Sequence, residues 1–311
     1  MSVLWVTGAK GFIGSHLVSH LAGQGAHVGG IGGAASASGD ALTGGLAHWV
    51  GGAVGPETLD LLESRTGTPA TIFHLAGGSS IGASLADPAA DFERTVGSSA
   101  ALLEWMRWRA PEAALVAVSS AAVYGTGHDR PIPEDAPARP CSPYGCHKQA
   151  MESLCRSYAE NFGLRVAVAR LFSVYGPGLR KQLLWDLCGH LAASGGARLG
   201  GTGRELRDWT HVGDVVRFLE ILGAHASTDV PIVNGATGIG TSVRDVARHV
   251  GECYGVGDDA IAFSGETRPG DPFSLVGAVD ARLPFAFEPS VTLDQGIGDY
   301  VDWFKRQARG L

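Results

Sequence analysis

The run Val3-Leu4-Trp5-Val6 leads into Thr7-Gly8-Ala9-Lys10-Gly11-Phe12-Ile13-Gly14 and then into the helix-periodic Ser15-His16-Leu17-Val18-Ser19-His20-Leu21. A short apolar run, three glycines three apart and an amphipathic segment predict a strand, a tight turn and a helix whose N-terminus can receive phosphate. Gly8 allows the turn, Gly11 lets backbone approach a pyrophosphate, and Gly14 lets helix and strand pack closely. The spacing is GxxGxxG rather than GxGxxG. It is the local context that a dinucleotide-binding fold requires.

The alternation continues to about Ser173. Strands are predicted near 3–7, 27–31, 71–75, 113–119 and 165–171, with helices near 12–23, 57–65, 88–109 and 143–162. Such alternation gives a doubly wound parallel sheet that binds ligands at the carboxyl ends of its strands. The notable residues fall at those ends: His74-Leu75-Ala76-Gly77 closes one strand, Ser119 and Ser120 close another, and Ser142 and Pro143 start a helix as N-cap and first-turn proline. Gly29 to Gly55, rich in glycine and alanine, reads as a mobile surface loop. After Ser173 the alternation lapses, and Arg207 to Leu222 reads as a return to the first lobe. With 311 residues, the chain is expected to form one lobe from 1–173 and 207–236 and a smaller one from 174–206 and 237–311.

Tyr144 and Lys148 stand four apart and share one helix face. An ammonium beside a phenol favours phenolate, so the tyrosine pKa is expected to fall toward a range useful for proton transfer. Together with the glycine turn and Val118-Ser119-Ser120-Ala121-Ala122-Val123-Tyr124-Gly125, the pair resembles the extended short-chain dehydrogenase/reductase family that modifies nucleotide sugars. The resemblance extends through His74-Leu75-Ala76-Gly77, Phe172-Ser173-Val174-Tyr175-Gly176-Pro177-Gly178, Arg207-Asp208-Trp209-Thr210-His211-Val212 and Arg268-Pro269-Gly270-Asp271, nearly the whole chain. It implies an α/β protein with a Rossmann-type doubly wound parallel sheet and a smaller C-terminal substrate lobe.

The resemblance also implies a nicotinamide cofactor bound by Gly8, Lys10, Gly11, Phe12, Ile13, Gly14, Gly32, Leu75, Ala76, Gly77, Tyr144 and Lys148. In NAD-binding members an acidic residue ends the second strand, and Gly32 stands at that position here. Its missing charge, with Lys10 beside the turn, favours NADP(H) over NAD(H). Ser36 and Ser38 are possible phosphate donors, and Gly52 replaces the family's usual aspartate near the adenine.

By resemblance Ser120, Tyr144 and Lys148 are catalytic, with Ser119 as the competing hydroxyl. Ala121 and Ala122 occupy the place where 4,6-dehydratases carry Asp-Glu, and methyl groups cannot transfer protons. Oxidation or reduction at C4 of a nucleotide-diphosphate sugar remains. An NADP(H)-dependent 4-keto reductase is expected, with an NAD-dependent 4-epimerase as the alternative and a non-catalytic nicotinamide-nucleotide sensor as a second alternative. Ser84, Ser119, Ser120, Ser173, Arg207 and Arg268 match substrate-binding positions, Ser173 replacing the usual asparagine.

A net charge of −7 argues against nucleic acid as partner. No apolar run approaches the roughly 18 residues of a membrane span, and the N-terminal apolar stretch is too short for a signal peptide, so a cytoplasmic enzyme is expected. Five cysteines without CxxC pairing indicate neither a disulfide framework nor a metal site. The predicted helices 88–109 and 143–162 resemble the pair through which relatives form a homodimer, although Leu102, Leu103, Met106, Met151 and Leu154 on them suit a monomer core equally.

Overall fold

The computed structural model describes residues 2–33, 44–267, 272–279 and 287–309. Two compact units emerge: Met1–Gly125, Glu134–Leu171 and Val216–Asn234 form the first, and Thr126–Pro133, Phe172–Val215 and Gly235–Leu311 the second. Residues 126–133 and 207–215 thus group with the second unit, where the division expected from sequence put them in the first.

In chain order the elements are β1 (Val3–Thr7), α1 (Phe12–Gly23), β2 (His27–Gly32), β3 (His48–Gly51), α2 (Pro56–Thr66), β4 (Thr71–His74), α3 (Ile81–Ala86), α4 (Pro88–Phe92), α5 (Ser98–Arg109), β5 (Ala114–Ser120), α6 (Pro143–Phe162) and β6 (Arg165–Leu171). Then come β7 (Ser173–Tyr175), α7 (Gln182–Ser194), β8 (Ala197–Leu199), β9 (Leu206–His211), α8 (Val212–Ala224), β10 (Ile232–Gly235), β11 (Gly240–Ser242), α9 (Val243–Tyr254), β12 (Ile261–Phe263), β13 (Ser274–Leu275) and α10 (Leu293–Arg309).

The first unit is built on a seven-stranded sheet in the order β10-β6-β5-β4-β1-β2-β3, with β1 to β6 paired in parallel. β5 and β6 are buried almost end to end, as strands covered by helices on both faces must be. Trp5 on β1 is fully buried, lies 5.1 Å from Trp105 and donates Nε1–H to Thr66 Oγ1 at 2.9 Å. Leu102, Leu103, Met106 and Met151 belong to this core and Leu154 packs against it.

The glycine-rich stretch departs from its reading as a loop, because β2 runs to Gly32 and β3 occupies His48–Gly51. Packing explains the composition: a Cβ on Gly29 would lie 3.1 Å from both Leu62 and Trp5 side chains, and one on Gly30 would lie 2.7 Å from Leu46 and 2.8 Å from Ala9. Bare backbone here marks close approach. Ser36 and Ser38 lie outside the described residues. The helix predicted over 88–109 is interrupted by a π-helical turn at Glu93–Gly97, and α3, capped by Ser80 Oγ accepting from Ala83 N at 3.2 Å, precedes it.

In the second unit β9 pairs with β7 and β13 in parallel and with β11 in antiparallel sense, and β8 pairs with β12. Asp208, buried on β9, accepts from Thr237 N and Oγ1 and from Gly238 N at 2.7–2.9 Å. Tyr175 lies edge-on to Trp209 and His211. Among the described residues no helix is long and apolar enough to cross a membrane.

A Cβ on Gly14 would lie 2.1 Å from the Gly8 carbonyl oxygen, whereas one on Gly189, inside α7, meets nothing within 4 Å. Gly14→Ala should therefore cost about 3 kcal/mol through overpacking, and Gly189→Ala should stabilise by about 0.5–1 kcal/mol through helix propensity. Urea unfolding of both variants measures the contrast, and equal effects would contradict it.

Candidate active site

The turn after β1 is held by its own backbone. Gly8 has φ 68° and donates to Ile31 O at 2.7 Å, and Gly11 N donates back to Gly8 O at 2.9 Å. Gly11 caps α1 without a side chain, and no acidic residue stands in the first turn. The N–H groups of Phe12, Ile13 and Gly14 are first-turn donors that the helix cannot use itself, at its positive dipole end. Gly32, at the end of β2, lies beside this turn: a Cβ there would come within 3.8 Å of Ala9 N and Gly8 Cα.

Thr7 ties the turn to the next strand. Its Oγ1 accepts from Ala76 N at 3.1 Å and lies 2.8 Å from His74 Nδ1, while Leu75 N donates to Thr7 O. Burial and the nearby Lys148 charge push His74 down to about 3, so the ring is neutral. The Thr7 hydroxyl donates to Nδ1, leaving Nε2–H to donate to Ser99 Oγ at 3.0 Å, and Ser99 in turn donates to Thr95 O. Gly77 follows at φ 150°; a Cβ there would lie 3.2 Å from Lys148 Nζ.

Ser142 Oγ accepts from Gly145 N at 3.2 Å and Pro143 opens α6, as expected from their residue types. Ser84, fully buried, accepts the Tyr144 N–H at 3.0 Å and donates to Ile81 O at 2.8 Å, which fixes the start of α6. A Cβ on Gly145 would lie 2.6 Å from Ala122 O, so α6 can approach the end of β5 only because that residue is glycine. This approach brings the Tyr144 phenol near the Ser120 hydroxyl, whose Oγ accepts from Ala122 N at 3.2 Å. Ser119, one residue earlier, points the other way: its Oγ donates to Glu152 Oε1 at 2.5 Å, and Glu152 is bound to Arg170 at 2.7 and 3.0 Å.

The lysine does not lower the tyrosine as expected from the spacing. Burial raises the Tyr144 phenol above its ordinary value of 10, outweighing the nearby Ser120 hydroxyl that lowers it, and Asp91 adds to the rise. Lys148 Nζ lies 6.0 Å from the phenol ring centroid and donates to Val118 O at 2.8 Å. Burial pulls the Lys148 ammonium down to about 8, opposed by Asp91, Glu152 and Cys155.

Two groups beside the pair have no counterpart in the sequence pattern: Asp91 and His147, joined Oδ2 to Nδ1 at 2.6 Å, are 56 residues apart, and no spacing rule links them. Ser173 and Arg207 lie in the second unit; Ser173 pairs with Trp209, and Arg207 Nη1 donates to Leu206 O and Pro272 O. Arg268 lies outside the described residues. Among the described residues no cluster of His, Cys, Asp or Glu is arranged to hold a metal ion.

The profile of the NAD dependent epimerase/dehydratase family matches residues 4–234. The chain belongs to this family. A relative named UDP-glucose 4-epimerase, from Mycolicibacterium smegmatis, is 29% identical over 98% of this chain and 99% of its own. The structure titled MoeE5 in complex with UDP-glucose and NAD is similar with a TM-score of 0.86, at 29% identity over 99% of this chain and 100% of that one. The UDP-glucose 4-epimerase of Thermus thermophilus, solved with NAD, gives 0.86 at 26% identity over 97% and 99%.

The two similar structures were solved with NAD, which overturns the expected preference for NADP(H). The physical reason lies in Lys10, whose Nζ stands 3.5 Å over the Trp49 ring in a cation–π contact instead of reaching for a 2′-phosphate. The preference for a 4-keto reductase rested on that cofactor and falls with it. The glycine cradle itself fits a dinucleotide, since side chains at 8, 11 and 14 would each crowd the turn.

Because His74 is held neutral when folded, with its pKa lowered from 6.5 to about 3, the folded state binds fewer protons than the unfolded state across that window. Its contribution to stability is present above about pH 6.5 and is lost as pH falls toward 3. His74→Gln should flatten the acid limb of unfolding free energy against pH by up to about 1.4 kcal/mol per pH unit. Parallel limbs in urea titrations of the two proteins would refute this assignment.

Proposed function

We propose that the chain is an NAD-dependent nucleotide-sugar 4-epimerase. The observation that carries this reading is the half-buried Tyr144 phenol, near the Ser120 hydroxyl and four residues from the buried Lys148, at the carboxyl end of β5. The epimerase names of its relatives support it, and so does the Ala121-Ala122 pair, which offers no acid or base for dehydration. Retention of both Tyr144 and Lys148 disfavours a non-catalytic sensor.

Bound nicotinamide would supply two-electron oxidation of the C4 carbinol and its reversal on the other face. Phe12, Ile13 and Gly14 N–H groups hold the pyrophosphate at the α1 N-terminus, with Gly8 and Gly11 giving access. Leu75, Ala76 and Gly77 line the next strand end, and Lys148 holds the nicotinamide ribose. Tyr144 Oη takes the C4 hydroxyl proton and returns it, while Ser120 Oγ orients the same oxygen. Ser84 acts from behind by setting the start of α6, and Ser119 belongs to the Glu152–Arg170 pair. Ser173 and Arg207, within the second unit, are assigned to the nucleotide diphosphate, as is Arg268 by its sequence motif. A homodimer through α5 and α6 is supported by Trp108 and Phe162, which stay exposed at 69% and 41% with the Arg107 guanidinium packed on both rings.

The test is incubation with UDP-, dTDP-, GDP- and CDP-hexoses, following C4 epimers and nicotinamide absorbance together. Interconversion without net cofactor turnover is expected. Stoichiometric cofactor consumption, or no conversion of any sugar, would refute the reading. Tyr144→Phe should lower kcat by about 10²–10⁴ and Ser120→Ala by about 10², leaving NAD binding intact. Ser119→Ala should lower stability with kcat near parental. Trp108→Glu should yield monomers in sedimentation experiments.

A further inference from the structure

Asp91 on α4 is fully buried and its two oxygens are treated unequally. Oδ2 accepts from His147 Nδ1 on α6, whereas Oδ1 has no hydrogen-bond partner among the described residues. Burying a carboxylate in this way is costly unless positive charge answers it. The turn after β4 is shaped around the group: a Cβ on Gly78 would lie 1.9 Å from Asp91 Oδ1, and one on Gly77 would lie 3.2 Å from Lys148 Nζ. Two consecutive glycines therefore let bare backbone pass the carboxylate at one residue and the ammonium at the other.

Lys148 has the converse need, being 4% exposed with one hydrogen bond, to Val118 O on β5. The titratable groups facing it are Tyr144, Glu152 and Cys155 on α6, His74 on β4 and Asp91 on α4. Glu152 is already matched by Arg170 through two hydrogen bonds. Burial pushes the Cys155 thiol up to about 12 and raises the Tyr144 phenol, and His74 is neutral, so none of these carries charge at pH 7. Asp91 is the anion that remains.

We propose that Asp91 is a positioning residue for the Tyr144–Lys148 pair: its buried carboxylate, oriented by His147, is the counter-charge that keeps the Lys148 ammonium charged inside the protein. The charge relation stands on geometry, and its kinetic consequence rests on the epimerase reading. Phe92, edge-on to the His147 ring at 5.5 Å, helps to hold the imidazole.

Asp91→Asn keeps the size of the side chain and an acceptor for His147 Nδ1–H but removes the charge. In the ligand-free full chain labelled with ¹³C-lysine, the Cε resonance of Lys148, identified by its absence in Lys148→Met, should titrate near pH 8. In Asp91→Asn its midpoint should fall by about one unit. In turnover, kcat should fall with KM for the sugar near parental, and the alkaline limb of the pH profile should move down with the lysine. An unmoved Lys148 titration in folded Asp91→Asn, folding being judged by a cooperative thermal transition, would overturn the proposal. If that variant does not fold, the same Lys148 midpoint is read in Asp91→Ser, where it should fall likewise, and no movement would equally overturn the proposal. A shifted lysine titration in a protein that epimerises no sugar would support this charge relation while refuting the epimerase reading.

Discussion

Where β1 passes into α1, the Gly8 carbonyl oxygen accepts the Gly11 N–H and leaves no room for a side chain at residue 14. That crossing sets the helix end at the carboxyl edge of the sheet, with its first-turn amides pointing outward. The neighbouring strands are keyed to it through Thr7, whose hydroxyl reaches the Ala76 amide and the His74 ring. From His74 the bonds run on to Ser99 and Thr95, and Thr95 Oγ1 accepts the Gly78 amide at 2.8 Å. The backbone under Lys148 is thus placed by interactions that begin at the glycine turn.

Local signals made much of this legible. The strand–glycine–helix run at the N-terminus, the Ser142-Pro143 start of α6, and the five strands placed from hydrophobic pattern all reappear, because each depends on neighbours in sequence. β3 did not show, since Gly29 and Gly30, which pair with it, are dictated by Leu62, Trp5, Leu46 and Ala9, contacts that no periodicity reveals. The helix over 88–109 reads as continuous because a π-helical turn has no residue signature of its own.

Electrostatics was the least legible layer. Spacing put an ammonium near a phenol, yet it could not show that burial governs both groups or that Lys148 Nζ turns to the β5 backbone. Lys10 looked available for a phosphate until Trp49, 39 positions on, was found beneath it. Ser119 and Ser120 were inseparable as letters. On a strand they face opposite ways, one into the Glu152–Arg170 pair and the other toward the phenol.

The wide turn at Glu93–Gly97 has a consequence for how this segment can change over evolutionary time. It accommodates the residue that separates the phase of α4 from that of α5, and the serines that follow use their hydroxyls on the loosened carbonyls, Ser98 on Arg94 O and Ser99 on Thr95 O, both at 2.6 Å. Losing a single residue between 92 and 98 would swing one helix about 100° against the other, carrying the Asp91 side chain off His147 while leaving every element nominally present. Insertions and deletions here are therefore far more disruptive than substitutions, and the segment's length is as constrained as its chemistry.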